Sequence, residues 1–104
     1  MPRVTILLPT YQSGKYISQT LDSIRKQTFK DFDVLVVDDH STDNTLSILL
    51  AAQDLRICVI NGRGKGLADA LNLGIQQAQG EYVARIDADD LMTPDRLEKQ
   101  VKYL

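Results

Sequence analysis

The apolar residues fall into four short, dense runs, and between the runs they recur every three or four positions. Val4-Thr5-Ile6-Leu7-Leu8 is nearly continuous, as in a parallel strand buried on both faces, and Pro9 is expected to close it because proline has no N–H for the ladder. Thr10 to Lys15 reads as a loop, after which Tyr16, Ile17, Leu21 and Ile24 keep helical spacing toward an end near Thr28. A turn at Lys30-Asp31 leads into a second strand, Phe32 to Val37. It stops at Asp38-Asp39-His40-Ser41-Thr42-Asp43-Asn44, rich in helix-capping types, and Leu46, Leu49 and Leu50 supply the apolar side of the next helix. Arg56 to Ile60 is the third strand, and Asn61 to Gly66 a flexible loop. Leu67, Ala70, Leu71, Gly74, Ile75 and Ala78 form the inner side of a helix that Gly80 stops. Glu81 to Ile86 is the fourth strand, and Thr93-Pro94-Asp95 reads as N-cap, first-turn proline and dipole-complementing acid for a helix from Arg96 to Leu104.

Strand and helix alternate, with connections too long for hairpins, which predicts an α/β fold: a parallel sheet with helices on both faces. The last helix has Leu97, Val101 and Leu104 on one face, still unmatched where the chain stops. That is the expected look of the front half of a larger unit, truncated here. Open sheets of this kind bind ligands beyond the carboxyl ends of their strands, near a switch in strand order. Those ends carry Pro9-Thr10-Tyr11, Asp38-Asp39, Asn61-Gly62-Arg63 and Asp87 to Asp90.

If Arg85 to Asp90 continues the strand, Asp87 and Asp89 point to one side. At ~5 Å and an effective dielectric of ~20 they repel by roughly 3 kcal/mol, so a cation is expected between them. Two carboxylates suit Mg²⁺, which keeps positions for water and phosphate, and Mn²⁺ takes the same oxygens. Such a metal neutralises a diphosphate leaving group. Tyr11 offers a ring to stack on a base and Thr10 a hydroxyl. Asp39 can accept a hydrogen bond from a base or ribose while Asp38 braces the loop or binds its backbone amides. Arg63 and Lys65 can reach a diphosphate from a glycine loop that is neither a dinucleotide fingerprint nor a P-loop, because Leu67 stands at its sixth position and no G-K-[ST] follows. His40 reads as a loop residue.

Composition narrows the field. The 104 residues are 43% hydrophobic and 25% charged, the profile of one soluble domain over 1–104, with a net charge of −2 and no basic footprint for nucleic acid or an anionic membrane. No apolar run approaches a membrane span and no secretory pattern opens the chain, so a cytoplasmic location is expected. The single cysteine, Cys58, is expected to be a buried small hydrophobe.

Together these stretches resemble the family 2 glycosyltransferases, which have the Rossmann-like GT-A three-layer sandwich. The resemblance is carried in order by Val4 to Tyr11, Ser23 to Phe29, Val36 to Asp43, Gly66 to Gly74, Asp87 to Asp90 and Pro94 to Leu97. It implies a sheet order of 3-2-1-4, a nucleotide-diphospho-sugar donor, usually a UDP-sugar, and transfer with inversion to the hydroxyl of a sugar or lipid-linked acceptor. It further implies that Pro9, Thr10 and Tyr11 border the base, that Asp39 bonds uracil, that Asp87 approaches ribose or metal, and that Asp89 ligates Mn²⁺ or Mg²⁺. Many members carry arginine in an A-R-N-x-G segment where this chain has Ala70-Leu71-Asn72-Leu73-Gly74, so Arg63 or Lys65 is the expected substitute. The general base is expected beyond Leu104, so the 104 residues alone are expected to be inactive, and the full protein to act in the cytoplasm or at the inner face of the membrane. Two alternatives from other classes are a receiver-like Mg²⁺-binding signalling domain and a non-catalytic remnant that self-associates through its apolar C-terminal helix and sheet edge.

Overall fold

The computed structural model describes residues 2–52 and 54–102. Its elements follow in the order β1 (Val4–Thr10), α1 (Ile17–Arg25), β2 (Phe32–Asp38), α2 (Thr45–Ala51), β3 (Ile57–Asn61), α3 (Leu67–Gln77), β4 (Tyr82–Arg85) and α4 (Arg96–Lys102). All strand pairs are parallel and the order is β3-β2-β1-β4, so the order reverses between β1 and β4, as expected.

Alternation along the strands divides the core in two. Val4, Ile6 and Leu8 lie on one face with Phe32, Val34 and Val36, against Ile17, Leu21 and Ile24 of α1, Leu49 of α2 and Leu97 of α4. Each such side chain removed from water contributes about 1.5–3 kcal/mol, so this three-helix face is the main core. Leu7, Leu35 and Val37 on the other face meet α3 through Ala70, with Leu71 and Leu73 and with Ile60 and Ala78 packed alongside.

How far each helix covers the sheet corrects four expectations. Cys58 lies on the α3 face but on the edge strand β3, beyond the reach of a helix centred on β1 and β2, and it is exposed. Ala70 and Gly74 are the buried line of α3, so Leu67 and Ile75 stand off to its sides in solvent. Leu50 is likewise exposed, because the short α2 buries only the stripe of Thr45 and Leu49. In α4, Leu97 is buried and Val101 packs on the main core, so this face is matched; Leu104 lies outside the described residues.

Pro9 does not close its strand. The Val4 N–H bonds the Asp31 carbonyl and the Thr10 carbonyl receives the Asp39 N–H, whereas the Leu7 carbonyl receives the Ile86 N–H. Even-numbered residues of β1 therefore turn their backbone to β2 and odd-numbered ones to β4. Because β4 ends at Arg85, opposite Leu7, the missing N–H of Pro9 falls where no described strand needs it. One glycine fixes how closely α3 returns to the sheet: a Cβ on Gly80 would stand 2.4 Å from the Thr5 backbone nitrogen, and its own N–H bonds the Thr5 hydroxyl at 2.8 Å.

Candidate functional site

The loops after β1 and β2 are laced together. Asp38 is 1% exposed, and its Oδ1 receives the hydroxyls of Thr10 and Ser41, both at 2.7 Å, while Oδ2 receives the Ser41 N–H at 3.0 Å. Burial without cost requires such pairing. Asp38 thereby braces the loop, and it is not among the residues lining either cavity at these strand ends. Asp43 continues the lacing: Oδ1 takes the hydroxyl and N–H of Thr45, and Oδ2 the N–H of Gly14. The Thr45 hydroxyl hydrogen bond first, then the Gly14 and Thr45 amides, hold its pKa below 3.8. The Gln12 amide oxygen receives the Thr42 N–H at 2.5 Å and the Gln12 N–H donates to Ser41 Oγ at 2.9 Å. Gln12 takes φ +49°, and Tyr11 beside it is thrust out, 66% exposed.

Asp39 reaches the other way. Its Oδ1 receives the Gly64 N–H at 2.6 Å and its Oδ2 the Gly66 N–H at 3.4 Å, drawing the glycine loop over the end of β2. Gly66 begins α3 at φ +94°, a conformation that suits glycine. Pro9, Thr10, Tyr11, Asp39, Gly66 and Leu67 are among the walls of a cavity of about 580 Å³, and His40, at φ +61° with Nε2 2.9 Å from the Gly62 carbonyl, is another. Arg63 and Lys65 are not. Arg63 is pinned by Nε and Nη2 to the two oxygens of Asp69, both at 3.0 Å, and Lys65 is exposed away from the walls.

The acids after β4 reach the crevice by a turn rather than a pleat. Strand pairing ends at Arg85, and the Asp90 N–H bonds the Asp87 carbonyl at 3.0 Å, so side-chain alternation does not extend from Asp87 to Asp89. A polar seam on the buried side of α1 holds this turn. The Thr20 hydroxyl lies 2.5 Å from the Ala88 carbonyl and 3.1 Å from that of Asp90. Ser23 Oγ receives the Met92 N–H, and Gln27 donates to the Thr93 carbonyl at 2.7 Å while accepting the Leu97 N–H at 3.2 Å. Asp87 and Asp89 nevertheless line one depression, of about 320 Å³, with Pro9, Tyr11, Tyr16 and Leu67. Pro9, Tyr11 and Leu67 also wall the first cavity, so Tyr11 stands where the two meet.

Two carboxylates on one wall fit Mg²⁺ or Mn²⁺ in the manner of metals that complete their shell with phosphate and water. They do not make a closed cage, since no group of three or more His, Cys, Asp or Glu converges among the described residues. Asp89 has no hydrogen-bond or ion-pair partner among the described residues, whereas Arg85 Nε and Nη2 both approach Asp87 Oδ1, at 3.1 and 3.0 Å.

A sequence profile of glycosyl transferase family 2 matches residues 5–104. The chain belongs to that family. An uncharacterized glycosyltransferase from Rickettsia typhi is 37% identical over 103 residues, covering 99% of this chain and 32% of that protein. The glycosyltransferase GlyG of Streptococcus pneumoniae is 38% identical over 98 residues, 91% of this chain and 33% of its own length. The chain thus spans about a third of these curated relatives. Among solved structures, residues 1–349 of S. aureus TarS in complex with UDP-GlcNAc superpose with a TM-score of 0.91 at 35% identity, over 97% of this chain and 30% of that one. The mannosyltransferase PcManGT from Pyrobaculum calidifontis, in complex with GDP-Man and Mn²⁺, gives 0.90 at 37%, over 99% and 32%.

For a family 2 chain the order β3-β2-β1-β4 is at home, while a receiver would begin 2-1-3-4, so the signalling alternative falls. Among the described residues no helix is long and apolar enough to cross a membrane. In this family 2 crevice, sequence reasoning missed Leu67 and Gly66 as walls and the seam of Thr20, Ser23 and Gln27 beneath the acid turn. The seam left one signal: Thr20 is a polar residue on the apolar stripe of Ile17, Leu21 and Ile24.

Proposed function

We propose that the chain is the donor-binding part of a metal-dependent glycosyltransferase that takes a nucleotide-diphospho-sugar, a UDP-sugar in the first instance, and passes the sugar with inversion to an acceptor hydroxyl. The observation that carries this reading is the pair of adjoining cavities at the strand-order reversal, with Tyr11 between Asp39 on one side and Asp87 and Asp89 on the other. A nucleoside diphosphate has the matching parts. The base would stack on Tyr11 beside Pro9 and Thr10, and the single imide N–H of a uracil would face Asp39, whose oxygens also accept from Gly64 and Gly66.

Asp87 and Asp89 would hold the divalent metal. When bound, that metal neutralises charge on the departing diphosphate. Asp38 and Asp43 act upstream of chemistry by fixing the Tyr11 loop. None of these acids serves as the base that activates the acceptor in this reading, so the 104 residues bind donor without turning it over. The share of about a third that the chain spans of its relatives supports that division.

Calorimetric titration with UDP in the presence of Mn²⁺ tests the reading. Saturable binding that Asp39→Ala and Asp89→Ala each weaken at least tenfold is expected. Absence of binding, or binding indifferent to both substitutions, removes it.

A further inference from the structure

A nucleoside diphosphate brings two phosphates, yet among the described residues the side chains lining the two cavities include three carboxylates, Asp39, Asp87 and Asp89, and no lysine or arginine. One divalent ion beside the Asp87–Asp89 pair offsets those two acids and leaves nothing for the diphosphate. A cation close behind the wall would offset part of that charge. Arg63 does not supply it, because both carboxylate oxygens of Asp69 occupy its fork, and the helical position at Leu71 is apolar. Lys15 Nζ stands over the ring of Tyr16, a wall residue, at 5.6 Å, whereas Arg85 is the cation that, among the described residues, pairs with one of the wall acids themselves. Its Nε and Nη2 converge on one oxygen of Asp87, which leaves Oδ2 without a partner among the described residues.

We infer that Arg85 is the charge-supplying positioning residue of the diphosphate subsite, acting through Asp87; the inference rests on the donor-binding reading above. The guanidinium orients the Asp87 carboxylate by one oxygen and leaves the other open. Its positive charge stays beside the place where the diphosphate lies. Two consequences of opposite sign follow. A fixed cation next to the two acids repels a metal that arrives alone, and it attracts the anion that arrives with the metal. A merely structural arginine would weaken both ligands together on removal. Arg85 is well suited to the test because its side chain is 47% exposed, and its sheet pairing with Leu7 and its bond from Arg96 are made by its backbone.

The experiment compares wild type, Arg85→Gln and Arg85→Lys. Mn²⁺ affinity without nucleotide is read from the electron paramagnetic resonance of free Mn²⁺, and UDP affinity at saturating Mn²⁺ by calorimetry. Exposed charge pairs set the scale: Arg85→Gln is expected to tighten Mn²⁺ alone by about two- to five-fold and to weaken UDP by about two- to five-fold, with Arg85→Lys near wild type in both. Unchanged affinities in Arg85→Gln, or shifts of the same sign for Mn²⁺ and UDP, overturn the inference. Wild-type protein that binds no UDP at saturating Mn²⁺ overturns the donor-binding reading instead, so the two failures are distinguishable.

Discussion

Thr20→Val removes one hydroxyl from the molecule and keeps its shape. The hydroxyl is fully buried and has a single proton, for which the carbonyls of Ala88 and Asp90 compete with that of Tyr16 one turn back. At 2.5 Å the Ala88 carbonyl is the principal acceptor. Valine supplies no donor, so the loss is one hydrogen bond, about 1 kcal/mol net, together with the desolvation cost of a carbonyl left unpaired, about 1–3 kcal/mol. A total of about 2–4 kcal/mol lowers the melting temperature of a domain of this size by roughly 10–20 °C. The effect extends to the site, because Asp89 sits between the two carbonyls that Thr20 fastens. Thermal melts by circular dichroism and UDP titration with Mn²⁺, run on Thr20→Val and on Thr20→Ser, separate the two effects. Ser retains the proton and is expected to recover most of both losses. A Thr20→Val protein that melts with wild type and binds UDP with wild-type affinity would refute the claim that this hydroxyl holds the acid turn.

The adjacent acids Asp38 and Asp39 are expected to separate cleanly. Asp38→Ala strips the buried partner of Thr10 and Ser41 and costs about 3 kcal/mol or more in urea unfolding, while Asp39→Ala costs less stability and more UDP affinity. Gly80→Ala sets a Cβ 2.4 Å from backbone that cannot turn aside, and is expected to destabilise by about 1–3 kcal/mol, measured by the same unfolding. Asp43 has a native pKa below its ordinary 3.8, held there first by the Thr45 hydroxyl. An acid with a depressed native pKa contributes stability above its unfolded pKa and loses it as pH falls through the native value. Melts between pH 5 and pH 2, on the order of the window set by that reference pKa, are therefore expected to fall less steeply for Asp43→Asn than for wild type. Parallel curves would show that Asp43 does not carry the acid sensitivity of the loops.

The strand runs were legible because buried parallel strands need dense apolar sequence, and Val4–Leu8 and Phe32–Val37 have little else. Periodicity alone failed where coverage decides exposure. Cys58 sits in an apolar run at the sheet edge, and Leu50 and Ile75 belong to stripes wider than the surfaces that meet them. Pro9 misled because its effect depends on which neighbour its nitrogen faces, which is a matter of register and of where β4 stops. Asp87 and Asp89 reached a common crevice as expected, but through a turn held from α1, a contact across nearly seventy positions that no local pattern encodes.

The same reasoning sorts the acids at the strand ends, which composition treats alike. A carboxylate near unpaired donors of a loop is used up in holding that loop: Asp38 satisfies the Thr10 hydroxyl at the end of β1, and Asp43 the Gly14 N–H in the loop that follows. Asp89 has no such donors within reach among the described residues, because the acid turn is already closed by Asp90 N–H on the Asp87 carbonyl and by Thr20 on the others. Asp87 is half used, one oxygen held by Arg85 and one open. Asp39 is the intermediate case, bonded to Gly64 and Gly66 yet on the cavity wall, so a ligand with N–H donors must share it with the glycine loop. Loop order after β3 and ligand binding at Asp39 are therefore coupled through one carboxylate, and amide exchange at Gly64 and Gly66 should change on UDP binding if Asp39 is the group that reads the base.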